Sequence, residues 1–410
     1  MSNFTRRWFL KGSGLAMAGA GSAPLWLARA ASAAEIPRKK VLVAVFQRGA
    51  MDGLNVVVPY GEQAYYDLRP NLALPRPDGT KNSVIDLDGY FGLHPSLSAL
   101  KPIFDQKRLA IIHATGSPDP TRSHFDAQDY MESGTPGRKA TTDGWLNRAL
   151  AAETKVSPLR AVSLGPVLPR MLRGRNDAVA INSLNEFQVR DSRGADSLEA
   201  MYGTSKDTAL KTTGHETFEA VRLVQSFQKQ PYIPENGAQY PAGRLGQSLR
   251  EIARLIKAQV GLEVAFTDVG GWDTHVNEVG ASPAQGQLAT RLDELGNALA
   301  AFYTDMGDAM DDVCVVTMSE FGRTAKENGT RGTDHGHANV MFTFGGAVKG
   351  GKVYGDWPGL SSDKLYEQRD LAVTTDFRAV LGELVTSHLR NPQLATVFPN
   401  YVTPQSPGLL

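Results

Sequence analysis

The amino-acid sequence predicts an α/β fold built on a doubly wound, mostly parallel sheet, and three observations carry that prediction. Short apolar runs rich in β-branched residues recur along the chain, and longer stretches of helical periodicity separate them. No repeat, heptad pattern or low-complexity tract interrupts the alternation. Runs apolar at every position suit strands covered on both faces, which is the situation inside a parallel sheet.

Taken in order, the chain opens with Thr5-Arg6-Arg7-Trp8-Phe9-Leu10-Lys11, a paired-arginine segment of the kind a twin-arginine translocase reads. The apolar stretch Gly14 to Leu27 is rich in Gly and Ala and falls short of the roughly 20 residues a spanning helix needs. The small-residue run Ala30-Ala31-Ser32-Ala33-Ala34 then offers a cleavage site. Residues 1–34 are therefore expected to be an export signal that leaves no transmembrane segment after cleavage. Residues 35–410 are expected to form the working domain, in the periplasm or outside the cell.

Five strands are predicted, at Val41 to Phe46, Leu109 to Ala114, Leu262 to Thr267, Val313 to Met318 and Val340 to Phe344. Between the third and fourth, Leu288, Leu292, Leu295, Leu299 and Phe302 follow a 4-3-4-3 spacing that paints one apolar helix face. A strand, helix and parallel strand in sequence places the loops after both strands at the carboxyl edge, where open α/β sheets bind ligands. From about 165 to 242 the strand signal fades into polar sequence with a Pro-rich break, which reads as an insertion or cap.

Composition excludes several classes of partner. The 43 basic and 43 acidic residues cancel, so neither nucleic acid nor an anionic membrane surface is favoured. A single cysteine, Cys314, sits inside an apolar run and permits no internal disulfide. His215-Glu216-Thr217-Phe218-Glu219 lacks the second histidine of a zincin, and the Gly-rich stretch from Gly345 lacks the hydroxyl residue of a P-loop.

Acidic residues and histidines gather instead in the loops flanking the predicted strands. The first strand runs into Asp52-Gly53, and the third into a loop with Asp273 and His275 two residues apart. The fourth ends in Ser319-Glu320-Phe321-Gly322-Arg323-Thr324, and Asp334-His335-Gly336-His337 precedes the fifth. Carboxylates and imidazoles without thiolate form the ligand set of a divalent metal, Zn or Mn first, with Mg, Ca or Fe as alternatives. Each piece has a plainer reading, since Asp52-Gly53 is also a common turn pair and His275 can be a solvated loop residue.

At these residues the chain resembles the alkaline phosphatase-like superfamily, which includes sulfatases. Nearly the whole chain after the signal is similar to a bacterial family of exported proteins within it, on R-G-x-x-D-G-L-N, G-W-D-T-H, S-E-F-G-R-T and T-D-H-G-H stretches. The resemblance implies that Asp52 is a metal ligand and that Asp273 and His275 are contributed by another strand-end loop. It leaves two alignments for the remainder. In one, Asp334 and His335 are the adjacent ligands; in the other, Glu320 takes that place, His335 or His337 is the later histidine, and Asp334 orients a ligand from behind.

The superfamily nucleophile sits at the start of a helix after an early strand, where this chain offers Thr121, Ser123 and His124; Ser123 is the choice, with an N-cap role as its plainer reading. Arg48, Arg122 and Arg323 are candidates for gripping ester oxygens, and Arg48 is equally suited to tying loops together. The expected function is hydrolysis of a phosphate or sulfate ester on a small molecule or glycan. The alternative is a non-catalytic exported protein of the same fold, acting in binding or assembly at the cell surface.

Overall fold

The computed structural model describes residues 39–153, 156–187, 202, 204, 208–228, 231–402 and 406–410. The expected export signal lies outside them. Among the described residues there are twelve strands: β1 Val41–Gln47, β2 Val57–Val58, β3 Ile85–Asp86, β4 Gly92–Leu93, β5 Leu109–Gly116, β6 Ala161–Leu164, β7 Val179–Ile181, β8 Val264–Val269, β9 Val313–Met318, β10 Asn339–Gly345, β11 Lys352–Tyr354 and β12 Thr375–Asp376. Nine form one sheet in the order β11-β5-β10-β9-β1-β8-β6-β7, with β12 also paired to β5, and β2, β4 and β3 form a small antiparallel sheet.

All pairings in the large sheet are parallel except those of β10, which runs antiparallel to both β9 and β5. The fifth predicted strand therefore exists but is reversed. An all-apolar run reports burial on both faces and carries no information about direction. The third predicted strand begins two residues late, at Val264, because Gly261 turns the chain with φ +80 just before it.

Alternation along β1 shows why the sheet is covered on both sides. Val41, Val43 and Val45 pack into one core with helices α3 (Arg244–Lys257) and α4 (Gln287–Met306), while Leu42, Ala44 and Phe46 face a second core containing Trp145, Phe377, Val380 and Phe398. In α4 the predicted stripe of Leu288, Leu292, Leu295, Leu299 and Phe302 is buried throughout. Cys314 is buried against Thr343, 3.3 Å from its hydroxyl, and burial pushes its thiol up to about 12, which makes it a small core residue.

Within 165–242, β7 extends the sheet edge, and helix α2 (Thr208–Gln228) contributes Ala220 and Val224 to the first core. Asp305 of α4 holds the following Pro-rich stretch: it accepts from the Tyr232 and Tyr240 hydroxyls at 2.7 and 2.8 Å, the Glu235 amide at 2.7 Å and the Lys257 ammonium at 2.6 Å. No helix among the described residues is long and apolar enough to cross a membrane.

Strand direction sets the position of the site. Phe46 lies beside both Asp268 and Met318, so β1, β8 and β9 end together at the carboxyl edge. Because β10 is reversed, its first residue, Asn339, is the one at that edge, opposite Thr115 near the end of β5. The loops after β1, β5 and β8 and both ends of the loop between β9 and β10 consequently converge.

Candidate metal centre

Arg323 fastens the convergence. Its guanidinium is fully buried: Nε donates to the Ala50 carbonyl (2.6 Å), Nη1 to the Thr333 carbonyl (3.1 Å), and Nη2 to the carbonyls of Gly49 (2.7 Å) and Trp272 (3.0 Å) and to Asp273 Oδ1 (2.6 Å). One side chain thereby joins three loops: those after β1 and β8, and the two ends of its own loop between β9 and β10. Two glycines allow the backbones to close around it. A Cβ on Gly322 would lie 1.8 Å from the Ala338 carbonyl oxygen, and one on Gly336 2.3 Å from the Arg323 carbonyl carbon. These are the glycines of S-E-F-G-R-T and T-D-H-G-H, and their purpose is close approach.

Three histidines then face one carboxylate. Oδ1 of Asp273 lies 3.5 Å from His124 Nε2, 3.0 Å from His275 Nε2 and 3.1 Å from His335 Nε2, and the Nε2 atoms of His275 and His335 are 3.0 Å apart. His124, Asp273 and His335 offer donor atoms that all lie within 4.8 Å of one another. Ligand atoms about 2.0–2.2 Å from a tetrahedral Zn stand roughly 3.3 Å apart, so these spacings suit such an ion. His124 Nε2 is also buried and lacks a hydrogen-bond partner among the described residues.

Each of these histidines is held from behind through its other ring nitrogen. His124 Nδ1 meets Glu320 Oε1 at 2.7 Å, His335 Nδ1 meets the Arg122 carbonyl at 2.9 Å, and His275 Nδ1 meets Asp334 Oδ1 at 3.1 Å. An oxygen acceptor at Nδ1 takes the ring proton and leaves the Nε2 lone pair for a cation, the pairing found behind metal-ligating histidines. Phe321 packs under two of the rings, its centroid 5.0 Å from that of His124 and 5.1 Å from that of His335.

The electrostatics follow from these contacts. The Glu320 hydrogen bond raises the pKa of His124, against the opposing effect of burial. Burial lowers that of His335. For Asp273, burial works upward but is outweighed by the hydrogen bond and charge of Arg323, so the carboxylate is held below its usual range. Burial of Glu320 is likewise outweighed, by His124, Gln128 and the Gly49 amide.

Of the residues expected at the site, Asp273, His275 and His335 are brought together with their Nε2 and carboxylate oxygens facing. Glu320 and Asp334 stand one step back, each on a histidine Nδ1. Asp52 does not join them. It is fully buried, with Oδ2 against Arg69 Nη1 at 2.5 Å and Oδ1 against Arg69 Nη2 at 2.9 Å, so its charge is spent on a buried ion pair. His337 turns away as well, with Nε2 on the Ser117 carbonyl at 3.1 Å and its ring 4.6 Å from that of Tyr366.

The three arginines are engaged by protein groups. Arg323 is the loop clasp described above rather than an oxygen grip. Arg122 pairs with Asp370 at 2.7 Å and Glu367 at 2.6 Å, contributing its backbone carbonyl to His335. Arg48 ties loops together through Asp268, Gln128 and Glu132 at 2.6, 2.9 and 2.8 Å. Ser123 is the exposed N-cap of helix α1 (His124–Ser133), with its hydroxyl 3.5 Å from the Asp126 amide.

The sequence places His124 at a helix start without marking it as a ligand. The available signal was its spacing from Gln128: one helical turn apart, both side chains reach Glu320 Oε1, at 2.7 and 2.9 Å.

A family model described as "Protein of unknown function (DUF1501)" matches residues 39–390, and the chain belongs to that family. No curated protein matches it. Among solved structures, the chain is similar to the lipoteichoic acid synthase LtaP from Listeria monocytogenes, at 9% identity and TM-score 0.32 over 77% of this chain and 67% of that one. It is also similar to a protein in the alkaline phosphatase superfamily from Vibrio parahaemolyticus, at 10% identity and TM-score 0.32 over 77% and 62%. A third is the PsFucS1 sulfatase from Pseudoalteromonas sp., at 11% identity and TM-score 0.33 over 79% and 66%.

Proposed function

We propose that this member of the DUF1501 family is an exported, divalent-metal-dependent hydrolase of phosphate or sulfate esters. The observation that carries the reading is the common arrangement of His124, His275 and His335, each with Nδ1 on an oxygen and Nε2 directed at Asp273. Hydrogen-bonded imidazoles around a carboxylate are a donor set for Zn or Mn. A cation bound there supplies electrophilic stabilisation of the ester oxygens. Glu320 and Asp334 orient His124 and His275, and Arg323 holds Asp273 ionised and in position.

In this reading Ser123 is the nucleophile. It precedes His124 directly and stands at the N-terminus of α1, where backbone amides favour negative charge. Residues 1–34 act as a twin-arginine signal, so the chain is exported already folded, with its metal inserted beforehand.

A second reading draws support from Ser123 itself, since an N-cap role accounts for its hydroxyl. In that reading the protein keeps the fold and the metal and serves as a binding or assembly component at the cell surface.

The test is to purify the exported protein, measure its metals by elemental analysis, and screen phosphate and sulfate esters alongside His335→Ala. Stoichiometric metal and ester turnover in the wild type, both lost in the variant, are expected. Metal lost in the variant with no ester turned over by either protein selects the second reading. Absence of stoichiometric metal from every preparation overturns the site itself.

A further inference from the structure

A cavity of about 480 Å³ opens at the carboxyl edge of the same sheet, where Arg48 follows β1, Gly165 follows β6 and Asp268 lies in β8. Its size falls within the range of small-molecule sites. It shares a wall with the metal centre: Asp129 and Glu132 line it from α1, five and eight residues beyond His124, or about 8 and 12 Å along a helix.

The charges lining this cavity are unevenly committed. Glu132 is nearly buried and uses one oxygen on Arg48 (2.8 Å) and the other on the Met171 amide (2.9 Å). Asp268 divides its oxygens between Arg48 (2.6 Å) and Arg244 (3.2 Å), and Asp129 pairs with Arg170 (2.8 Å). The carboxylates are thus taken up by protein cations. The guanidinium groups are not all taken up by carboxylates. Arg173 is exposed, donates through Nε to the Leu168 carbonyl at 3.1 Å, and has no carboxylate partner among the described residues. Arg244 is 59% exposed and makes a single contact to Asp268.

A ligand entering therefore meets spare N–H donors and a positive charge, over an apolar lining that includes Phe266 and the 68% exposed Val167. Planar guanidinium forks match carboxylate and phosphate groups. We propose that this cavity binds a small organic anion the size of an acidic sugar, with Arg173 and Arg244 gripping its charged group. The proposal rests on the cavity alone and stands whether or not the metal centre hydrolyses esters.

The probe is glucuronate, a carboxylate that no esterase consumes, with glucose as its neutral counterpart. Binding is read by calorimetry on the wild type, on R173Q/R244Q and on His335→Ala, with metal content measured for each. Glucuronate is expected to bind wild type and His335→Ala alike, at least tenfold more tightly than glucose, and at least tenfold more weakly to R173Q/R244Q with its metal content unchanged. Equal affinity for glucuronate and glucose, or undiminished binding by R173Q/R244Q, overturns the proposal. Binding lost in His335→Ala but kept in R173Q/R244Q also overturns it, by assigning the anion to the metal centre. A tetraglucuronate arm separates two sources of the same chemistry: a gain over the monomer points to an acidic polymer, and equal affinity points to a free acid.

Discussion

His124 Nδ1 donates to Glu320 Oε1 across 2.7 Å, and the same oxygen accepts from the Gly49 amide at 2.8 Å and the Gln128 amide at 2.9 Å. Three donors on one buried oxygen fix the carboxylate and, through it, the imidazole. Replacing Glu320 with Gln removes the charge that orients the ring. Metal affinity should fall about 10- to 100-fold while the fold is retained. Competition against a chelator of known affinity, with circular dichroism as the control, checks this; unchanged affinity would show that Glu320 does not support a ligand.

Arg323 supplies buried donors to four carbonyl groups and a carboxylate. Arg323→Ala leaves those acceptors unsatisfied and should cost about 3–5 kcal/mol in urea unfolding. Arg323→Lys keeps the charge but loses the fork, so it should also fail to restore full stability. A loss below about 1 kcal/mol in both would mean that the loops hold together without the clasp.

Ser123→Ala separates capping from chemistry. Loss of a cap whose hydrogen bond is already 3.5 Å long should cost no more than about 0.5–1 kcal/mol, with metal content unchanged. If Ser123 is the nucleophile, ester turnover disappears in the same variant. Turnover preserved at wild-type rate would remove it from the mechanism.

Glu278 gives the pH prediction. It is completely buried, with Oε2 accepting from the Thr274 and Thr333 hydroxyls at 2.9 and 2.8 Å, and burial together with the Asp52 charge pushes its pKa well above the ordinary range. A raised acid binds its proton more tightly in the folded state. Its contribution is therefore complete below the unfolded pKa of about 4.3 and is lost as pH rises from there toward the folded value. Glu278→Gln is neutral throughout, so between pH 4.5 and 8 its melting temperature should decline less than that of the wild type. At pH 8 the variant should be more stable relative to wild type than it is at pH 4.5. Parallel declines would place the proton elsewhere.

Much of this arrangement is legible in the sequence. Apolar runs located β1, β5, β8, β9 and β10, because burial on both faces leaves a compositional mark that survives without knowledge of neighbours. The 4-3-4-3 stripe located α4 for the same reason. Loops rich in Asp and His located Asp273, His275 and His335.

What escaped was pairing. Asp52 looked like a ligand because nothing in Asp52-Gly53 announces that Arg69, 17 residues on, takes both its oxygens. Arg323 looked like an anion grip because its partners are backbone carbonyls, which carry no sequence signature. His124 stood apart from the other histidines, and its membership depends on α1 being packed against Glu320. Side-chain identity reports which chemistry is available; only folding decides what each group spends it on.

The reversed strand has a positional consequence. A strand of seven residues is about 23 Å long. Had β10 run parallel to its neighbours, the connection from β9 would have to end on the far side of the sheet, carrying the residues just before β10 a strand length from Asp273. Asp334 and His335 would then be surface groups on an opposite face, and Arg323 would have no Thr333 carbonyl to hold. The heading of one strand, with no change in any polar residue, decides whether the end of that loop is part of the site.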